Sequence, residues 1–230
     1  MPLTFSQERL WFLESLAPGS TTFHVPVLLR LTGALDTPAL GRALAELRRR
    51  HEVLRTTFHE ESGRPMQVVR PAEPFELPGV DLTDRAETLR EAGARSLATV
   101  EVARPFDFAR GPFLRAALYR LTATEHLLLV VTHHIVSDGW SMHVAVRELT
   151  ALYAAFRRGE QSPVTELSLQ YGDYACWQRQ WLQGETLARH LAYWRERLAD
   201  APVLDLPTDF ARPAVLSGRG GGCASPCRVS

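Results

Sequence analysis

The chain has 230 residues, of which 45% are hydrophobic and 23% are charged, and its formal net charge is zero. This composition is typical of a globular protein that buries a sizeable core. Because no basic patch with interleaved aromatic residues occurs, we expect no nucleic acid as a partner. No apolar run reaches the roughly 18 residues of a membrane span, and the N-terminus lacks the features of a signal peptide. We therefore expect no membrane contact and a cytoplasmic location.

The first fifth of the chain predicts two helices with a strand between them. Ser6 is a good N-cap for the first helix. Residues 23–31 are rich in valine and leucine and predict a strand, which Pro26 favours at the edge of a sheet. A second helix begins at residue 37 with proline at its next position. Its last turn carries arginine at residues 48–50, which we expect to be exposed.

A β-hairpin and a third helix are predicted next. The hairpin pairs residues 56–59 with residues 66–69, because both are β-prone and a turn separates them. Arg55, which directly precedes the hairpin, is open to two interpretations: a solvated charge, or an ion-pair partner for an acid elsewhere. Thr83 is the predicted cap of a helix that reaches about Val100.

Two paired strands and a long helix follow. Residues 113–121 and 126–132 predict the strands, and the second is a continuous apolar run, typical of a central strand buried on both faces. Residues 142–156 place apolar side chains at helical spacing. Residues 132–141 connect this strand to this helix. His143 lies off the apolar face, and we expect it to be exposed and without a role.

The rest of the chain predicts two more helices and a tail. The helices cover about residues 169–182 and 185–198, and we interpret their aromatic residues as packing residues. Residues 217–230 are dominated by small and turn-forming residues and predict disorder. The cysteines of this tail, Cys223 and Cys227, have no companion ligands at a familiar spacing, so we expect no metal there. The aromatic residues are Tyr171, Tyr174, Trp177, Trp181, Tyr193 and Trp194.

The connection at residues 132–141 carries two adjacent histidines. On an extended strand, His133 and His134 point to opposite faces, so they cannot readily bind one metal ion. The nearby serines lack the Gly-x-Ser-x-Gly arrangement of a nucleophile. An imidazole has an ordinary pKa of about 6.5 and suits general base catalysis. The alternative is that both histidines are hydrogen-bonded core residues.

Asp138 and Gly139 follow the histidines at the start of the helix. Asp138 can cap the helix, or it can pair with a buried arginine and hold the connection in place. Gly139 gives backbone freedom and close approach. Free N–H groups at the helix start can stabilise a developing oxyanion.

Residues 133–139 read HHIVSDG. They match the His-His-x-x-x-Asp-Gly motif of condensation domains of nonribosomal peptide synthetases, a motif shared with other acyltransferases of the chloramphenicol-acetyltransferase-like fold. Three further segments resemble condensation-domain motifs in the family's order: residues 6–13, 50–58 and 171–177 read SQERLWFL, RHEVLRTTF and YGDYACW. The resemblance covers about residues 3–215, and the opening looks most like the subtype that joins two L-configured residues.

The resemblance implies a reaction and its partners. The amine of an aminoacyl thioester on a downstream carrier protein attacks an acyl or peptidyl thioester on an upstream carrier protein, which forms an amide bond. The phosphopantetheine arms of both carriers deliver the substrates, and no cofactor is bound directly. The adenylation domain of the same synthetase is a further expected partner.

The resemblance also implies roles for individual residues. His134 lies in the substrate tunnel and either takes the proton of the amine or positions the amine, whereas His133 is structural. The aspartate at Asp138 pairs with an arginine, and Arg55 is our candidate for that partner. Gly139 belongs to the same motif, and we expect its neighbours Trp140 and Ser141 to support the site.

The implied fold is an α/β sandwich of the chloramphenicol-acetyltransferase-like class, with a mixed sheet and helices packed on one side. A condensation domain has two similar lobes, and this chain resembles the first. We expect that lobe at residues 1–165, crossover helices at 166–200 and a linker with a disordered tail at 201–230, with the C-terminal lobe missing. The alternatives are an inactive lobe that docks carrier proteins or neighbouring domains, or a CoA-dependent acyltransferase of the same fold.

Overall fold

A four-stranded mixed sheet carries the fold in the computed structural model, which describes residues 1–211. The continuously apolar strand β6 is buried from His126 to His133, and it pairs antiparallel with β1 and with β5. Strand β4 adds to β5 in parallel. The order β1-β6-β5-β4 puts β6 inside the sheet and Pro26 on an edge strand, as predicted. The strands are β1 (His24–Thr32), β2 (Thr56–Glu61), β3 (Arg64–Val69), β4 (Gly79–Asp81), β5 (Leu114–Arg120) and β6 (Glu125–His133).

Residues 1–211 also contain six α-helices, and β2 and β3 form the predicted hairpin. Helices α2 and α4 pack against one another, and their apolar side chains belong to the same hydrophobic core as those of the sheet. The predicted α/β arrangement with a mixed sheet is therefore confirmed. The helices are α1 (Phe5–Leu16), α2 (Thr37–Arg50), α3 (Glu87–Val102), α4 (Gly139–Arg157), α5 (Tyr171–Trp181) and α6 (Gly184–Leu198).

Two predicted helix starts are wrong. Thr4, not Ser6, caps α1, because Thr4 and Gln7 form a reciprocal capping box that the spacing of Ser6 does not offer. Helix α3 begins at Glu87 without a side-chain cap. Thr83 instead donates to Asp81 in the turn that follows β4, with 2.7 Å between its hydroxyl and the Asp81 Oδ1.

The arginines at the end of α2 are not all exposed as predicted. Arg50 is 1% exposed, and its guanidinium donates to the carbonyl oxygens of Val164 and Thr165 at 3.0 and 2.7 Å. Arg48 is buried where its guanidinium donates to the Pro74 carbonyl at 2.8 Å. Loops that are distant in sequence thus cover two of the three charges, which the cationic pattern of one helix turn does not reveal.

The aromatic residues of α5 are not core packing residues either. Tyr171, Tyr174 and Trp177 remain more than a third exposed and contact one another as tilted rings, with ring centroids 5.6 Å apart in each neighbouring pair. We interpreted these rings as packing residues, and in α5 they pack on one another at the surface, because the buried positions of this helix are the small residues Gly172 and Ala175.

The chain divides into two units, residues 1–183 and the part that begins at Gly184. The second unit contains α6, in which the rings of Tyr193 and Trp194 meet edge to face. The expected boundaries at residues 165 and 200 stay a prediction. The tail at residues 217–230, with Cys223 and Cys227, lies outside the described residues. None of the helices in residues 1–211 is long and apolar enough to cross a membrane.

Candidate active site

The candidate site is the turn between the end of β6 and the start of α4. The carbonyl oxygen of His133 accepts hydrogen bonds from the backbone N–H groups of Val136 and Ser137, at 3.0 and 3.1 Å. The Ser137 hydroxyl lies 2.6 Å from the hydroxyl of Thr132 and donates to the same His133 carbonyl at 3.2 Å. The turn is therefore tightly closed, and it fixes where the two histidine rings point.

Asp138 is the N-cap of α4, one of its two predicted roles. Its Oδ1 accepts from the backbone N–H of Ser141 at 2.8 Å and from the Ser141 hydroxyl at 2.6 Å. These two hydrogen bonds lower the pKa of the Asp138 carboxyl. Because the Ser141 N–H is bound by Asp138, this group of the helix start is not free to stabilise an oxyanion.

His134 is exposed and is held by its backbone and by one ring nitrogen. Its backbone N–H donates to the carbonyl of Phe23 at 2.9 Å, and its Nδ1 lies 3.2 Å from the carbonyl oxygen of Ser137. A carbonyl can only accept, so we assign the proton to Nδ1. That tautomer leaves the Nε2 lone pair as a proton acceptor, which a general base requires.

His133 points away from His134 into the core. Its Nδ1 accepts from the backbone N–H of Ile135 at 3.0 Å, and its ring is 5.1 Å from the ring of Phe108 and 5.9 Å from that of His24. Burial, with smaller contributions from His24 and His134, lowers the pKa of His133 to about 3. His133 is therefore neutral at physiological pH and acts as a structural residue of the turn.

This lowered pKa makes stability depend on pH. In the unfolded chain this histidine binds a proton below a pKa of about 6.5, whereas in the folded chain it stays neutral down to about pH 3. The free energy of unfolding therefore has its full value above pH 6.5 and decreases as the pH falls below it. His133→Asn keeps an acceptor for the Ile135 N–H without titrating. Between pH 6 and 5, we expect its free energy of unfolding to fall by about 1.4 kcal/mol less per pH unit than that of the wild type. Urea unfolding at several pH values measures this, with exposed His143→Asn as the control. Equal slopes for wild type and His133→Asn would contradict it.

Arg55 does not pair with Asp138, contrary to our expectation. Its guanidinium donates to the Glu52 carboxylate at 3.1 Å and to the backbone carbonyl oxygens of Arg49 and Arg70. The short 3-10 helix Glu52–Arg55 places the first of these partners three residues away, and the hairpin brings Arg70 alongside. Arg55 therefore holds the start of the hairpin and not the site.

Gly139 and Trp140 differ from the roles expected of them. Gly139 is the first residue of α4; its φ lies outside the left-handed region, and an added Cβ would meet no atom within 4 Å. Within residues 1–211, neither backbone conformation nor packing demands glycine there. Trp140 is 80% exposed, so it does not support the turn by packing beneath it.

A cavity of about 840 Å³ opens beside the turn. Sequence reasoning missed His51, which lines it together with His134 and whose Nε2 lies 2.8 Å from the buried carboxylate of Glu148. No sequence pattern indicates that His51, His134 and Glu148 lie close together, because they are far apart in the chain.

In residues 1–211 no three histidine, cysteine, aspartate or glutamate residues are grouped so that they could hold a metal ion. The lining includes Arg9, His51, His134, Asp138, Trp140 and Ser141.

The rim of this cavity is apolar and exposed. Trp140 and Leu169 are 80% and 74% exposed and both line the cavity. Because large apolar side chains exposed around a cavity favour association, we expect the chain to bind a hydrophobic dye and to self-associate reversibly. Trp140→Gln with Leu169→Gln should weaken both properties. Leu89→Gln, at an exposed leucine of α3, should change neither. Dye fluorescence and sedimentation velocity at several concentrations measure these effects, and a monomer without dye binding would contradict them.

Comparison with solved structures gives the fold class first. The X-domain in its complex with OxyB from teicoplanin biosynthesis matches with a TM-score of 0.81 and 35% identity, over 93% of this chain and 47% of that chain. The first condensation domain of the CDA synthetase matches with a TM-score of 0.76 and 26% identity, over 88% of this chain and 51% of that one. The chain thus spans about half the length of these solved relatives.

The sequence comparisons give the family. The model of the condensation domain matches residues 1–221, and the chain belongs to this family. A linear gramicidin synthase protein from Brevibacillus parabrevis is 49% identical over 221 residues, which are 96% of this chain and 3% of that protein. The resemblance that the four motifs indicated is confirmed.

Proposed function

We propose that this chain is the histidine-bearing lobe of a condensation domain that forms amide bonds in nonribosomal peptide synthesis. The observation that carries the proposal is the hydrogen bond from Nδ1 of His134 to the Ser137 carbonyl, because it leaves Nε2 as the proton acceptor beside the cavity. Membership of the condensation domain family supports an acyl transfer reaction.

In the proposed reaction, the amine nitrogen of a downstream aminoacyl thioester attacks the carbonyl carbon of an upstream acyl thioester. The new C–N bond forms, the C–S bond breaks, and the upstream phosphopantetheine thiolate leaves. Nε2 of His134 takes the proton that the amine loses and returns it to the leaving thiolate. The same nitrogen can instead position the amine through a hydrogen bond.

The cavity fits this proposal in size and lining. Its volume of about 840 Å³ lies in the range of small-molecule sites and leaves space for the ends of two carrier-bound arms. Upstream and downstream carrier proteins, loaded by adenylation domains, are the proposed partners. The remaining half of the domain, by comparison with the solved relatives, is proposed to close the cavity from the other side.

The direct test is condensation between two loaded carrier proteins. The chain is mixed with the second half of the domain, taken from the same synthetase or from a close relative, and the dipeptidyl product on the downstream carrier is measured by mass spectrometry. We expect product only when both halves are present. Product with the second half alone would refute the assignment of the catalytic lobe to this chain.

A docking role is the second candidate. It is favoured by the X-domain, which resembles this chain and is seen in complex with OxyB. In that case the chain binds a carrier protein or a neighbouring domain with the affinity of the wild type when His134 is replaced, and no product forms in the complemented assay.

A further inference from the structure

Gln7 on α1 contacts the histidine turn from the core. Its side chain is 1% exposed, and its Nε2 donates to the carbonyl oxygen of Ile135 at 3.2 Å. Its Oε1 accepts from the backbone N–H of Thr4 at 3.0 Å. The Thr4 donor fixes which end of the amide is the oxygen, so the NH₂ group must face Ile135. One side chain therefore caps α1 and binds the turn at the same time.

The Ile135 carbonyl is the group through which this contact can hold the turn. The His133 carbonyl already accepts the N–H groups of Val136 and Ser137, and Nδ1 of His133 accepts that of Ile135. These bonds lie within the turn, whereas the Ile135 carbonyl faces Gln7. Ile135 is buried, so its carbonyl needs a partner within the protein.

A fixed orientation of the Ile135 carbonyl also fixes the orientation of the Ser137 carbonyl, which accepts the hydrogen bond from Nδ1 of His134. The peptide group between Ile135 and Val136 lies in the middle of the five-residue turn, and the Ser137 carbonyl that binds Nδ1 of His134 stands at its end. Rotation of the middle peptide group would change the direction of the Ser137 carbonyl. The 3.2 Å bond from Nδ1 depends on that direction, because hydrogen bonds weaken steeply with angle.

We propose that Gln7 is a positioning residue: its hydrogen bond to Ile135 holds the turn so that His134 carries its proton on Nδ1 and keeps Nε2 as the acceptor. The effect of Gln7 on catalysis rests on the proposed function, whereas its effect on the tautomer of His134 does not. The tautomer of His134 can be measured without turnover.

Gln7→Glu isolates the contact. Glutamate forms a capping box as well as glutamine does, so the bond from Thr4 is retained, but a carboxylate cannot donate to Ile135. Gln7→Met removes the Nε2 donor without burying a charge, and it replaces Gln7→Glu in the experiment if Gln7→Glu does not fold. Gln170→Glu is the control: the half-buried Gln170 also bridges two backbone groups, because its Nε2 donates to the Arg50 carbonyl at 2.9 Å and its Oε1 accepts from the Glu52 N–H at 3.2 Å, outside the turn.

The measurement is nitrogen NMR of the full chain with ¹⁵N-labelled histidine, at about pH 8.5 where ordinary imidazoles are neutral. We expect the wild type and Gln170→Glu to show His134 mainly as the Nδ1–H tautomer. In Gln7→Glu or Gln7→Met, the ratio of the Nδ1–H to the Nε2–H form should fall about fivefold, the change that corresponds to one ordinary hydrogen bond.

An unchanged ratio in a folded Gln7 variant would overturn the proposal, and so would failure of both Gln7 variants to fold while Gln170→Glu folds. In the latter case Gln7 serves the core and not His134. Failure of the proposed function gives a different pattern: His134→Ala would retain condensation in the complemented assay, whatever the tautomer ratio of the Gln7 variants.

Discussion

His134→Ala is expected to lower the rate of condensation in the complemented two-carrier assay by about 10²- to 10⁴-fold, the range for loss of a general acid or base. The reason is local: the variant removes Nε2, the one acceptor that the bond from Nδ1 to Ser137 orients beside the cavity. Folding should be unaffected, because the His134 side chain is exposed and its backbone bond to Phe23 remains.

His143→Ala is the matched control for this experiment. His143 is an exposed histidine on α4 whose Nδ1 contacts the Gly139 carbonyl at 2.7 Å, and we expect its replacement to leave the rate unchanged. A His134→Ala variant with the wild-type rate would refute the role of His134. His134→Gln separates the two possible roles, because glutamine can form a hydrogen bond to the amine but cannot take its proton at neutral pH. Partial activity that does not depend on pH would favour positioning.

Glu148→Ala is expected to lower the free energy of unfolding by about 3–5 kcal/mol, the range for removing one partner of a buried ion pair. The Glu148 carboxylate lies 3.5 Å from Nε of Arg50 and 2.8 Å from Nε2 of His51. The Arg50 side chain is 1% exposed, so its charge would remain in the core with the exposed Glu166 carboxylate, 3.9 Å from its Nη1, as an ion-pair partner. Arg50, His51 and Glu148 connect the end of α2 with α4. Loss of these contacts should therefore lower the free energy of unfolding of the whole first unit, residues 1–183.

Urea unfolding followed by circular dichroism measures this change. Glu160→Ala is the control, since Glu160 pairs with Arg158 at 2.6 Å on the surface and exposed pairs contribute at most about 1 kcal/mol. Glu148→Gln keeps an acceptor for His51 and should lose less than Glu148→Ala. A loss of stability for Glu148→Ala that equals the loss for Glu160→Ala would show that the Val164 and Thr165 carbonyl oxygens and the exposed Glu166 carboxylate suffice to stabilise Arg50.

The elements were predictable where neighbouring residues determine them. The apolar run in β6, the β-prone segments around the hairpin turn and the helical spacing in α4 each follow from a period that a short window contains. The starts of α1 and α3 were less predictable, because several polar residues near each start offer similar capping chemistry. Thr4 caps α1, whereas none of the candidates caps α3, and the angle at which the chain enters each helix decides this.

The candidate site divides in the same way. The sequence by itself determined that His133 and His134 stand at a strand end on opposite faces and that Asp138 can cap the helix behind them, because alternation along a strand and capping geometry are local. The resemblance implied that His134 faces the tunnel and that His133 is structural, but the local pattern did not distinguish the two rings. The tertiary structure shows His133 buried at a pKa of about 3 and His134 lining the cavity. Burial depends on the layers packed against each face, and a strand pattern that is apolar throughout does not distinguish them.

Partners of buried polar groups were likewise decided only by the tertiary structure. Arg50 meets Glu148, and Gln7 meets Ile135, across distances in sequence that no local period spans. Arg55, for which we expected such a distant partner, found Glu52 three residues away. A side chain binds whichever group the folded backbone brings within about 3 Å, so residue type and spacing define what a polar group can bind, and packing selects what it does bind.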